Sequence, residues 1–438
     1  MPGLAARAEP RRRVLWGRLW GGRRLAHLTV VTVAVCLLTG CGWSPPASPP
    51  SAEPNASSGG SDATPATQSA LDALGAAILR QDRPAFYARI ATRDPAFAAV
   101  ADRIFTNLSA MRLQTLSFRL GARHQEPEPT RRALLGGDAV AREVAVSWRL
   151  RADSGSAQHQ IWMTFLPGDG GVTVAGTTDG PDERSAQPYW LVEPLRVATS
   201  AHATTLTASA GASRWLQRGG AAACAVRKRL TGGLGAAWNG ELVLEVPSTR
   251  QAFERVLGVA PGSYASIAAV AWPEGPDAST AALRIVVNPG VTATLGEQGL
   301  AVLLTHEAVH VATRSAASQA PTWLVEGLAD YVAYDAYPAT ATVAAAALLR
   351  RVRDRGAPTA LPTDDQFAPS AQDLPLTYAE AWTACRLLAE EHSPTRLMRF
   401  YRAVSDGVDL RAALRRETGQ TTAQLTAQWR RSLESDAA

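Results

Sequence analysis

Apolar residues first recur at helical spacing at Ala70, Leu71, Leu74, Ala77 and Ile78, which predicts a helix with one buried face. Shorter helical patterns follow at 84–90 and 95–108. The period then changes to two. Segments 115–120, 140–150, 159–166 and 172–177 alternate apolar and polar positions, as Val144, Val146, Trp148 and Leu150 do. This predicts an antiparallel sheet with one covered face. Prolines at 188 and 194 mark a boundary. Beyond them the pattern predicts a strand at 197–208, a helix at 212–230, a strand at 241–246 and a helix at 248–257. Two more strands follow at 267–271 and 283–287, and after Thr294 the chain reads as helical almost to its end. The expected fold is α+β: a helices-then-antiparallel-sheet domain over 67–192, then a second domain over 193–438 with a mostly helical C-terminal half.

The start of the chain follows another logic. Residues 1–40 carry seven arginines against one acid, Glu9, followed by an apolar run at 25–38. About 14 apolar residues fall short of the ~20 that a membrane-spanning helix needs and match a signal-peptide core. The run ends in Leu38-Thr39-Gly40-Cys41, which resembles a bacterial lipobox. That resemblance implies cleavage before Cys41, lipidation of its thiol and a protein anchored on the extracytoplasmic face of the cell membrane. An uncleaved N-terminal anchor with an incidental cysteine is the alternative. The Pro/Ser-rich stretch at 41–66 reads as a tether unable to bury a core.

Composition changes the picture in one respect. The net charge of +5 contains +6 from residues 1–40, so the remainder is close to neutral and gives no case for nucleic-acid binding. With 46% hydrophobic and 19% charged residues, the chain has ample material for folded cores. Setting aside Cys36 and Cys41, only Cys224 and Cys385 remain, and an exported protein could bridge them or keep two thiols.

The chemistry is concentrated in Thr305-His306-Glu307-Ala308-Val309-His310. Leu300, Leu303, Leu304, Ala308 and Val311 give the surrounding helix an apolar face, and Thr294 with Glu297 has capping-box spacing at its start. Residues four apart lie on one side of a helix, so His306 and His310 can direct two imidazoles at one ion. Glu307 stands beside the pair, where its carboxylate can reach a water without ligating. Chance placement of 7 His in 438 residues gives on the order of 0.005 matches to this pentapeptide pattern. Sixteen residues after His310, Glu326 lies in Pro321-Thr322-Trp323-Leu324-Val325-Glu326-Gly327-Leu328-Ala329-Asp330-Tyr331-Val332. A short connection and a return helix would bring it back as a third ligand. Asp330, one turn on, could accept the proton of a ligand imidazole.

These residues resemble the gluzincin metallopeptidases, in which H-E-x-x-H is followed by a glutamate ligand on a second helix. The Trp323–Val332 segment resembles a bacterial group with W-L-x-E-G-[LF]-A-[DE]-Y at that place. The resemblance extends over 195–438; in element order alone, 67–192 resembles the cone-shaped nuclear-transport-factor-like fold, which implies an accessory module. It implies a zincin-like domain in which His306, His310 and Glu326 bind zinc and Glu307 is the general base. It also implies that the Arg284-to-Pro289 segment forms a cleft edge able to pair with an extended peptide or protein substrate. No G-x-M-E-N motif is present, which argues against a dedicated aminopeptidase of that type.

A donor to the tetrahedral oxyanion is still needed. Tyr378, ahead of a helical run, is the candidate, with Tyr331, Tyr334, Tyr337 and His392 as rivals. Two other readings compete with a peptidase: a catalytically inactive metal-binding lipoprotein of the cell envelope, and a hydrolase of non-peptide amides. An intact base beside three ligands favours catalysis, because a structural zinc site takes four protein ligands.

Overall fold

The computed structural model describes residues 63–181, 184–230, 238–368 and 371–438. The expected signal, Cys41 and most of the expected tether lie outside these residues. Helix α1 (Ala63–Leu79) begins four residues inside the segment read as tether.

Helices α2 (Arg83–Tyr87) and α3 (Pro95–Ala110) both start from an aspartate cap and carry a proline at one of their first two positions. Asp82 accepts from the Ala85 amide and Asp94 from that of Ala96, satisfying donors that a helix start leaves open. An antiparallel sheet follows, with β1 (Thr115–Gln125), β2 (Val140–Arg149), β3 (Ala157–Leu166) and β4 (Thr173–Gly176) side by side in chain order. Helix α4 (Pro129–Leu135), which the apolar pattern did not announce, fills the β1–β2 connection. Leu71, Leu74, Phe86, Phe118, Val146 and Trp148 pack between helices and sheet.

The predicted boundary at 188–194 holds a short helix, α5 (Tyr189–Val192), with all four residues buried. Tyr189 donates its hydroxyl to the Val246 carbonyl at 2.8 Å and accepts from the Ala208 amide at 3.0 Å. The strand expected at 197–208 is two antiparallel strands, β5 (Arg196–Thr199) and β6 (Ala203–Thr207). The turn between them is closed by Ser200, whose hydroxyl accepts from the Ala203 amide. After them come α6 (Ala212–Leu230), β7 (Leu242–Val246), α7 (Arg250–Leu257), β8 (Ala269–Glu274) and β9 (Ala282–Val287). The second sheet has the order β5-β6-β7-β9-β8, with β6, β7 and β9 parallel and antiparallel strands at both edges.

This order corrects one expectation. The Arg284-to-Val287 segment is the interior strand β9, buried throughout, and the edge on its side of the sheet is β8. Pro273 in β8 suits an edge, where a missing amide costs no ladder bond.

The C-terminal half is helical: α8 (Pro289–Thr292), α9 (Glu297–Thr313), α10 (Thr322–Ala336), α11 (Pro338–Arg355), α12 (Leu374–His392), α13 (Pro394–Ser405), α14 (Leu410–Thr418) and α15 (Thr422–Ala437). The expected capping box at α9 is absent. Gly296 is the N-cap, and the Thr294 hydroxyl donates to the Val291 carbonyl.

All described residues fall in one compact unit, and the main core runs without a break from α1 to α15. The loop between β2 and β3 locks the two sheets together. The Ala152 carbonyl accepts from Asn239, and Asp153 pairs in a bidentate manner with the fully buried Arg284 of β9. Ser154 accepts from Arg314, and the Ser156 carbonyl from the Ala282 amide at 3.0 Å. Gly155 lies so close to the Thr280 and Ala281 backbone that a Cβ would fall 2.8 Å from the Ala281 carbonyl oxygen. Asn107 of α3 adds a second lock, donating to the Trp190 and Glu193 carbonyls and accepting from the Leu195 amide.

Candidate metal centre

Helix α9 is buried from Val302 to Ala312, as befits a helix apolar on nearly every side. It packs against α6, α10, β8 and β9. The polar residues His306, Glu307 and His310 are therefore carried into the interior, where unpaired polar groups are costly. Helix α10 supplies their partners. Its N-terminus has no cap of its own, but Asp364, in a 3-10 turn 42 residues on, accepts from the Thr322 amide at 2.8 Å. Gly327 lets α10 approach α12 closely, and Glu326 is thereby set against α9.

The predicted ligands come together. His306 Nε2 lies 2.9 Å from His310 Nε2 and 3.2 Å from Glu326 Oε2, and His310 Nε2 lies 3.5 Å from the same oxygen. All three residues are buried, and among the described residues no other cluster of metal-ligating side chains forms. Asp330 stands where expected, with Oδ1 2.9 Å from His306 Nδ1. A partner not foreseen is Ser315, whose hydroxyl lies 3.0 Å from His310 Nδ1. Both imidazoles thus have their Nδ1 engaged and their Nε2 turned toward the shared point.

The electrostatics suit a cation. Burial alone would lower the His306 pKa, but the carboxylates of Asp330 and Glu326 outweigh it and raise it well above the usual imidazole range. Burial would raise Glu326, yet His310 and His306 hold it well below the usual carboxylate range. Surroundings that favour a proton on His306 favour equally a positive ion between the ligands. A buried His-His-Glu cluster with this charge balance can hold a metal ion.

Glu307 is fully buried and stands apart from the cluster; neither carboxylate oxygen makes a hydrogen bond of ordinary geometry. Burial pushes its carboxyl up to about 7, while His306, His310 and the facing Ala271 amide of β8 pull in the other direction. A buried carboxyl kept near neutrality has the properties of a proton-transfer group.

Tyr378 lies on α12, largely buried, with its ring edge-to-face on Phe367 at 5.3 Å. The distances that define the cluster do not include it. Among its rivals, Tyr334 is raised well above the usual phenol range by burial and then by Asp330, one turn before it, and packs on Trp382. Cys224 is exposed and Cys385 buried, and both are free thiols.

Sequence reasoning missed Ser315, Asp364 and the packing role of Gly327. The glycine had a visible signal, an interior helical position where glycine is disfavoured without a packing reason. The other two depend on how distant segments meet. No protein-family model matches the chain, and no curated protein sequence matches it.

Proposed function

We propose that this chain is a zinc metallopeptidase of the gluzincin type, held on the outer face of the cell membrane by a lipid on Cys41. The spacing of the three donors carries the reading. A tetrahedral zinc site with bonds of about 2.0–2.1 Å separates its ligand atoms by roughly 3.3 Å. The three separations here are 2.9, 3.2 and 3.5 Å. Three protein donors, rather than the four of a structural site, converge among the described residues.

His306, His310 and Glu326 would hold the ion, which when bound supplies a Lewis acid that acidifies water and polarises a carbonyl. The remaining work falls to the chain's own side chains. Glu307, neither of whose oxygens makes a hydrogen bond of ordinary geometry, takes a proton from the attacking water and returns it to the leaving amine. A carboxyl poised at about 7 can do both near neutral pH. Asp330 accepts the Nδ1 proton of His306 and keeps its Nε2 available as a donor. Edge strand β8, whose Ala271 amide faces Glu307, offers backbone groups with which an extended peptide can pair.

The test is metal content together with cleavage of a peptide library by the wild type and by Glu307→Gln. Loss of hydrolysis with zinc retained supports the peptidase. Equal hydrolysis by both proteins overturns the role of Glu307. Bound zinc with no cleavage by the wild type favours the inactive binding lipoprotein.

A further inference from the structure

We propose that Ser315 is the positioning residue for His310, and that Arg314 holds it in place by clamping the end of α9 to the β8–β9 hairpin and to the loop at 152–156. The proposal rests on the reading of His306, His310 and Glu326 as a metal centre. Two histidines that both ligate through Nε2 must each carry a proton on Nδ1, and each buried N–H needs an acceptor. For His306 that acceptor is Asp330. For His310 the structure places the Ser315 hydroxyl oxygen at 3.0 Å.

Ser315 reaches this position because of its neighbour. Arg314 ends α9 in the left-handed conformation, φ 51° and ψ 45°, and turns the chain so that the following residue lies back over the last helical turn. Glycine is the usual residue there, since a side chain costs about 1 kcal/mol in that conformation. Arginine is retained with its guanidinium fixed at three points. It donates to the Ala281 carbonyl at 2.6 Å, the Ala278 carbonyl at 3.1 Å and the Ser154 hydroxyl at 3.2 Å. Two of these anchors lie in the β8–β9 connection, and the third lies in the loop that locks the N-terminal sheet onto β9. A continuous path of hydrogen bonds and one peptide link therefore joins the N-terminal half to the imidazole of His310. On this account the N-terminal half does more than accompany the site: it sets the aim of one ligand.

The experiment measures zinc affinity of the purified full chain by competition with a chromophoric chelator, with the cobalt absorption spectrum as a second readout. Ser315→Ala should weaken zinc binding about tenfold or more and alter the cobalt spectrum, and Ser315→Thr, which keeps the hydroxyl, should restore both. Ser315 is half-exposed in a 3-10 turn, so alanine there leaves folding intact. Arg314→Gly keeps the backbone conformation, removes the clamp and should weaken binding as well. If the clamp acts through Ser315, the double variant binds no more weakly than Ser315→Ala alone. Wild-type affinity and spectrum in Ser315→Ala overturn the role of the serine, and additive losses in the double variant overturn the clamp. A folded wild type that takes up no zinc overturns the metal-centre reading itself, a different result from either.

Discussion

Gly327 of α10 is pressed against the backbone of Ala381 on α12, closely enough that a Cβ would lie 2.7 Å from the Ala381 carbonyl carbon and 2.8 Å from Cys385 Sγ. Neither neighbour is the movable end of a long side chain. Glu326 precedes this glycine, so the helix–helix distance also sets how far its carboxylate reaches toward His306.

Gly327→Ala should therefore destabilise the protein even though alanine favours a helix by about 1 kcal/mol. Overpacking costs roughly 1–3 kcal/mol, and the strain should move Glu326 away from the histidines. The expected outcome is a lower urea midpoint together with weaker zinc binding. An unchanged midpoint would mean that α10 and α12 separate freely and that the contact does not set the site.

Tyr378→Phe addresses the oxyanion donor. The residue lies within the first turns of α12 rather than ahead of the helix, and its ring packs on Phe367. If the hydroxyl stabilises the transition state, its removal should lower kcat about 10²-fold with KM and metal content little changed. A packing role predicts unaltered kcat, because phenylalanine keeps the ring. Tyr334→Phe, assayed alongside, tests the rival next to Asp330.

The His306–His310–Glu326 cluster was legible because the helical period alone places His306 beside His310, and because a return helix is the simplest way to bring Glu326 back. The outline of the fold was legible where the period changes, as between α3 and β1. Other features had no local signal. The Ser200–His202 turn contains no glycine or proline, so β5 and β6 read as one strand. Thr294 and Glu297 have capping-box spacing, but the short helix α8 directly upstream offers Thr294 the Val291 carbonyl instead. Arg284 lies 131 residues from Asp153, and no pattern in either segment announces that the two will be buried together. The exchange of β9 for β8 at the sheet edge has the same origin, although Pro273 was a clue.

The Arg284–Asp153 pair makes the next prediction. Both side chains are almost wholly buried, and Asp153 also accepts from the Leu150 amide at 2.7 Å. Breaking a buried pair from one side leaves a charge with nowhere to go and costs about 3–5 kcal/mol. Asp153→Ala should lower unfolding stability by that order, tempered by Glu274, whose carboxylate lies 2.7 Å from the Arg284 Nε. Asp153→Asn, which keeps the shape, should lose less. Urea unfolding of the three proteins checks the ranking, and equal stability throughout would show that the loop at 152–156 is not the lock between the halves.

Glu245 gives the network a pH dependence of definite sign. It faces Arg284, Glu274, Asp153 and Tyr189, and His159 stands behind Glu274. Burial, then the charge of Glu274, raise its pKa well above the usual carboxylate range, with Arg284 pulling the other way. In the unfolded chain it titrates near its ordinary value of about 4.3. Between that value and the raised one the folded protein keeps a proton that the unfolded chain has released. Stability from this group is therefore fully present below about pH 4 and is lost as pH rises through the folded pKa. Glu274 works in the opposite sense. Despite burial, Arg284 and His159 lower its pKa, so its contribution is present above the ordinary value and fades in acid. Glu245→Gln isolates the first effect, since the amide stays neutral at every pH. Relative to the wild type, the variant should gain more in urea midpoint at pH 8 than at pH 5. The same difference at both values would mean that Glu245 is ionised in the fold and that Arg284 carries three buried carboxylates rather than two.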